Sequence, residues 1–268
     1  MKSNMPLLQL SDVCFNYPHE DSVLMDITFS IGQGEKVCIL GANGSGKSTL
    51  LKLLCGLVSP QKGEFKAFGT HVTVKSFSKD SFSKDFHRKI GFVFQNSDTQ
   101  LFCSTVREEI AFGPLQMNIP YEEVNNRIAD VLDLLDIQHL KEKTPFKLSG
   151  GEKKKVALAS ILVLNPLVLI LDEPTNGLDP KTQRWLVELL TNLNRTGKTI
   201  ITSTHNLELV QEISDRCIVF GEDHRLAADD STEKVMADID LLKRVNIVDE
   251  YYHRHGDGHH AHYHIHNY

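Results

Sequence analysis

The sequence predicts an α/β fold built on a mostly parallel core sheet. Three observations carry this. Short apolar or β-branched runs alternate along the chain with helix-length segments. One run, Leu167–Leu171, is five consecutive apolar residues, the pattern of a strand buried on both faces. Another, Glu35–Leu40, ends in a glycine-rich loop that leads directly into a helix.

In chain order, Leu7–Phe15 and Ile27–Ile31 read as strands around an irregular segment, Asn16–Ser22. Glu35–Leu40 is a strand, and Ser48–Cys55 is a helix closed by Gly56 as a C-cap. Gly63–Val74 has short strands punctuated by turns, and Ser76–Lys89 is a polar surface loop or short helix. Gly91–Phe94 is a buried strand, followed by helices at Val106–Ala111, Glu122–Leu135 and Gly151–Leu164. Past the apolar run come a helix at Gln183–Asn194 and a β-branched strand at Thr199–Thr204. A helix at Leu207–Ile213 and a strand at Cys217–Phe220 follow. From Tyr251 the composition turns polar and histidine-rich, which marks residues 251–268 as a tail.

Bulk composition sets limits. With 268 residues, 41% hydrophobic and 24% charged, the chain is neither disordered, collagen-like nor membrane-spanning. Its most apolar stretch, Val156–Leu171, contains Asn165-Pro166 and is shorter than a membrane helix requires. Any membrane role is therefore expected to be peripheral. A formal charge of −6 leaves no electrostatic footprint for nucleic acid, so none is expected as a partner. The five cysteines are scattered with no CxxC pair, as expected of reduced thiols in a cytosolic compartment. The first ten residues show no signal-peptide pattern.

Two motifs carry chemistry. Residues 41–48, Gly41-Ala-Asn43-Gly44-Ser45-Gly46-Lys47-Ser48, match GxxxxGK[ST] at every fixed position. Glycines let successive N–H groups turn inward and, with the helix N-terminus, cradle phosphate oxygens. Lys47 adds a point charge, and the Ser48 hydroxyl is a ligand for Mg2+. The second motif places Asp172 and Glu173 at the tip of the buried strand, where parallel sheets hold ligands. Asp172 suits Mg2+ through water, and Glu173 suits a base or water-orienting group.

Leu148-Ser149-Gly150-Gly151-Glu152, ahead of that acidic strand, resembles the signature of ATP-binding-cassette (ABC) proteins. Ser149 is the expected N-cap of the helix that follows. The resemblance implies roles for further residues. Tyr17 stacks on adenine, and Thr49 joins the nucleotide contacts. Gln95 is the Q-loop glutamine that touches Mg2+. Asn176-Gly-Leu-Asp179 is the D-loop. His205 contacts the γ-phosphate. The resemblance covers roughly residues 7–240. Glu152 replaces a commoner glutamine and Lys155 a commoner arginine, yet every hydrolytic residue is present.

The resemblance also implies an architecture and partners. Residues 1–250 form the ATP-binding domain, with an antiparallel N-terminal β subdomain and a helical signature subdomain at roughly 96–165. Two such subunits, expected as a homodimer, pair head to tail. Each ATP lies between one phosphate loop and the other subunit's Ser149, Gly150 and Gly151. Residues 98–114, containing Gln100-Leu-Phe and Ile110-Ala-Phe-Gly-Pro114, resemble ATPases of energy-coupling-factor importers. These sit at the cytoplasmic face of the cell membrane. They work with an integral coupling subunit and a substrate-binding membrane subunit, and they import cobalt or nickel ions or vitamins.

Seven of the 13 histidines bear on the cargo: His253, His255, His259, His260, His262, His264 and His266. Neutral imidazoles suit Ni, Cu, Zn and Co, with affinity rising toward Ni and Cu. A purification tag and a solvated tail without function are the alternative readings. The leading expectation is the ATPase subunit of a cobalt or nickel importer. A vitamin importer stands as the alternative, and a soluble ATPase or metal-sensing module whose tail is the functional element as a third reading.

Overall fold

The computed structural model describes residues 5–19 and 22–248. The chain opens with β1 (Leu8–Asn16), β2 (Ser22–Ile31), β3 (Lys36–Leu40) and α1 (Lys47–Leu54). Next come β4 (Lys62–Ala67), β5 (Thr70–His71), α2 (Val74–Phe77), α3 (Asp80–Lys89) and β6 (Ile90–Val93). Three helices follow, α4 (Val106–Gln116), α5 (Tyr121–Leu134) and α6 (Gly150–Leu162). The rest alternates as β7 (Val168–Asp172), α7 (Pro180–Arg195), β8 (Thr199–Ser203), α8 (Leu207–Ile213) and β9 (Arg216–Phe220). It finishes with β10 (Leu226–Ser231), α9 (Thr232–Ala237) and α10 (Ile239–Arg244).

The strands form two sheets. One is four-stranded and antiparallel, in the order β2-β1-β4-β5. The other runs β10-β9-β3-β8-β7-β6, parallel throughout except for the antiparallel edge strand β10. This is the α/β architecture expected from the sequence. It also contains the antiparallel N-terminal sheet that the family resemblance implied.

Strand β7 explains why its sequence is an unbroken apolar run. Side chains alternate between faces with period two. Val168 and Ile170 pack with the α1 leucines and with Leu8 and Ile27 of the antiparallel sheet. Leu169 and Leu171 pack with Val156 of α6 and Leu186 of α7. On the far side, Cys38, Leu40, Cys217 and Val219 meet Val210 of α8, Val235 of α9 and Leu241 of α10. Arg216 ties the sheets together. It donates to Asp229 of β10 at 2.6 and 2.7 Å, to Glu35 at 2.8 Å and to the Ser30 carbonyl at 2.9 Å.

Four segments differ from their expected form, one being α4, which continues past Ala111 to Gln116. Residues 74–89 make two helices, α2 and α3. Phe77, Phe82 and Phe86 form one aromatic cluster with ring centroids 5.1–5.9 Å apart. Strand β2 starts at Ser22 rather than Ile27, because pairing with β1 extends it. β10, α9 and α10 carry no clear periodicity, since β10 is a polar edge strand and the helices are six residues each.

Leu53 in α1 is fully buried between the sheets, whereas Leu57 just beyond the helix is 53% exposed. Leu53→Ala is therefore expected to cost about 2–5 kcal/mol, and Leu57→Ala at most about 0.5 kcal/mol. Urea unfolding followed by circular dichroism measures both.

Candidate active site

Strands β3, β8 and β7 lie side by side and parallel, so the loops leaving their carboxyl ends open on one edge. Ser203 is level with Ile39 on one side and Asp172 on the other. The glycine loop leaves β3, the acidic pair ends β7, and His205 follows β8. They line one cleft: Asn43, Gly44, Gly46, Lys47, Ser48, Thr49, Asp172, Glu173 and His205, joined by Gln95 from the loop after β6.

The loop's shape depends on Gly46. Its φ is +107°, and a Cβ there would lie 2.4 Å from the Val23 carbonyl oxygen. Gly46 is also the N-cap of α1 and offers no side-chain acceptor. The first-turn N–H groups, those of Lys47, Ser48 and Thr49, are thus left without a cap, the arrangement that suits an anion. Lys47 is buried and donates to the carbonyls of Gly41 at 2.8 Å and Ala42 at 2.9 Å. Burial lowers its pKa, while the Glu173 and Asp172 carboxylates oppose the shift. Ser45 is buried behind the loop, with its hydroxyl unpartnered and its carbonyl 3.3 Å from His224 Nδ1.

Both acids are nearly buried, 7% exposed each. The Ser203 hydroxyl links them: it accepts from the Glu173 N–H at 3.0 Å and donates to Asp172 Oδ1 at 2.5 Å. Glu173 adopts φ +42°, a left-handed conformation unusual for this residue type, and the outlier sits at a functional site. Its Oε2 lies 2.9 Å from His205 Nδ1. A buried carboxylate beside a half-exposed imidazole, facing a phosphate cradle, is equipped to orient water and accept its proton.

Other expected residues do not line the cleft, although Tyr17 borders it. The Tyr17 hydroxyl lies 3.4 Å from Thr49 Oγ1, which sets the ring beside α1. Ser149, Gly150 and Gly151 start α6, where Ser149 and Glu152 form a reciprocal capping box. Asp179 caps α7, accepting from the N–H of Lys181 and Thr182 and from the Thr182 hydroxyl, which holds its pKa down. His253, His255, His259, His260, His262, His264 and His266 lie outside the described residues. Sequence reasoning missed two contributors, Val23 and Ser203, and gave Asn176 no place in the cleft. Asn176 and Val23 line the cleft, and Ser203 bridges the acids. Asn176 carries a motif signal, being part of the segment already compared with the D-loop. Val23 and Ser203 carry none, because only strand pairing brings them there.

Comparison with known proteins shows the family and the fold. The ABC transporter family model matches residues 24–176. The nickel import ATP-binding protein LarO of Lactiplantibacillus plantarum is 44% identical, over 83% of this chain and 92% of its own. The energy-coupling factor transporter ATP-binding protein EcfA of Methanothermobacter thermautotrophicus is 38% identical, over 90% and 76%. Among solved structures, cbiO1 from Clostridium perfringens, part of the ABC transporter complex cbiONQ, superposes with a TM-score of 0.77. It shares 34% identity and covers 90% of this chain and 95% of its own. The dimeric ATP-binding cassette MJ0796, bound to ADP and phosphate after hydrolysis, gives 0.74 at 28% identity, covering 84% and 98%. The phosphate loop, the acidic strand end and these matches agree: the chain is an ATP-hydrolysing cassette of the ABC transporter family, related to the ATPases of energy-coupling-factor transporters.

Proposed function

We propose that this chain powers import of cobalt or nickel ions as the ATPase subunit of an energy-coupling-factor transporter. The observation that carries the engine is the convergence of the phosphate loop, Gln95, Asp172, Glu173 and His205 on one cleft. The cargo reading is supported by the seven histidines between positions 253 and 266 and by similarity to a nickel import ATPase. A vitamin importer of the same type is the alternative, since the cleft drives turnover without touching cargo.

In this reading the main-chain N–H groups from Gly44 to Thr49, with Lys47, hold the β- and γ-phosphates, and the Tyr17 ring takes the adenine. Ser48, Gln95 and Asp172 offer a hydroxyl, an amide carbonyl and a carboxylate. These are hard oxygen donors of the class Mg2+ takes. Bound there, Mg2+ would offset charge on the phosphate oxygens. Glu173 accepts a proton from water as the water attacks the γ-phosphorus. The bond to the β–γ bridging oxygen breaks, releasing ADP and phosphate. His205, whose Nδ1 lies 2.9 Å from Glu173 Oε2, contacts the γ-phosphate in this reading.

Ser149, Gly150, Gly151 and Asp179 point this reading to a dimer. They lie outside the chain's own cleft, so a second copy of the chain would present them to its nucleotide. ATP then binds the closed pair better than the open one and draws it shut, and hydrolysis releases it. The dimer would work at the cytoplasmic face of the membrane, beneath an integral coupling subunit and a substrate-binding membrane subunit. Among the described residues no helix is long and apolar enough to cross a membrane.

Replacing the proposed base should separate binding from turnover. Glu173→Gln is expected to lower ATP turnover by about 100-fold or more while ATP binding persists. In cells carrying the transporter it should abolish uptake of labelled Co2+ and Ni2+. Continued ion uptake, or loss of vitamin uptake alone, would overturn the metal cargo. Truncation after Asp249 is expected to leave ATPase activity intact and to weaken Ni2+ and Co2+ binding in calorimetric titration. Unchanged titration would remove the tail from the argument.

A further inference from the structure

We propose that Lys154 is a positioning residue for ATP turnover: from α6, it fixes the main chain of Gln95 in the nucleotide cleft. The inference rests on the ATPase reading and adds a part to it. Lys154 is 2% exposed. Its Nζ donates to the carbonyls of Phe94 at 3.2 Å and Gln95 at 3.1 Å. These partners are carbonyls of the loop that delivers Gln95, rather than a carboxylate.

The geometry of those two bonds is specific. A peptide unit is planar, so fixing its carbonyl fixes the whole plane. The Phe94 carbonyl belongs to the plane before the Gln95 Cα, and the Gln95 carbonyl to the plane after it. One ammonium group therefore holds both planes that set the direction of the Gln95 side chain. Stability alone does not require such a group. Burying an ammonium group costs free energy, and here the compensation comes from two main-chain carbonyls of a single loop. Burial brings the Lys154 pKa down to about 8, opposed by the Asp172 carboxylate.

The same helix grips the same loop at two further points. Lys153 Nζ meets Asp98 Oδ1 at 2.6 Å. Gln100 Nε2 donates to the Ala157 carbonyl at 2.9 Å and the Ser160 hydroxyl at 3.2 Å, while its Oε1 accepts from the Phe94 N–H at 3.3 Å. Segment 94–100 is thus carried on α6. The start of α6 is Ser149–Gly151, which in the dimer faces the other nucleotide. A shift of α6 at one site then shifts Gln95 at the other. Lys155 supplies a control. It donates to the Leu135 carbonyl at 3.1 Å and sits 4.7 Å from the Trp185 ring centroid, away from this loop.

The test uses the full chain and steady-state ATP hydrolysis, with folding checked by circular dichroism. Lys154→Met is expected to lower kcat about tenfold or more and to leave KM for ATP within about twofold, as for misplacement of a group in the transition state. Lys154→Arg, which keeps cationic donors, should recover most of the loss. Lys155→Met should melt earlier with kcat unchanged. Lys154→Gln serves if the Met variant does not fold. Its amide is one bond shorter and should give a partial loss. A folded Lys154→Met or Lys154→Gln with wild-type kcat overturns the proposal. So does a loss shared by Lys154→Met and Lys155→Met in proportion to melting temperature. Absence of ATP hydrolysis by the unaltered chain would overturn the functional reading instead.

Discussion

Parallel pairing of β3, β8 and β7 is the constraint on which the rest depends. Parallel strands need long crossovers, and each crossover brings the chain back so that the carboxyl ends emerge together. Register then sets distances. Because Ser203 lies level with Asp172, its hydroxyl reaches the carboxylate and the next N–H at once. A one-residue slip would turn Ser203 to the other face and separate the bridge from the acids. The apolar rows on both sheet faces resist that slip.

Within this frame the electrostatics favour a ready site. Two carboxylates and one lysine are held near one another with little water around them. Low local dielectric strengthens their mutual attraction and also the cost of leaving any of them unpaired. The loop answers this by giving Lys47 two carbonyl acceptors, and the strand end answers it through Ser203. Bound phosphates would supply further partners to Lys47 and to the uncapped first turn of α1. The left-handed Glu173 is part of the same arrangement: it bends the chain at the strand tip and brings its carboxylate to His205.

The helices divide the molecule's labour. The α1 N-terminus serves this chain's own cleft, while the α6 N-terminus lies elsewhere. A cassette with one helix N-terminus in its cleft and another outside it has the layout that the proposed pairing requires. The contacts from α6 to segment 94–100 couple the start of α6 to the loop that delivers Gln95 to the cleft.

By itself the sequence determined the chemistry. Gly41–Ser48 and Asp172–Glu173 are local strings whose backbone requirements or charges are legible without neighbours, whereas Ser149–Gly151 is legible only through its spacing before the acidic strand. The alternating elements likewise announced a parallel sheet, because a strand covered on both faces must be apolar throughout. Tertiary structure decided what depends on pairing and packing. The placement of Ser203 and Val23 follows from strand register, and the contacts of Lys154 follow from where α6 crosses the loop after β6. β10, α9 and α10 hold their form by packing against β9 and β3, so their own residues carry little periodic signal. A motif is a property of adjacent residues, whereas a site is a set of distances between distant ones, and only the folded chain sets those.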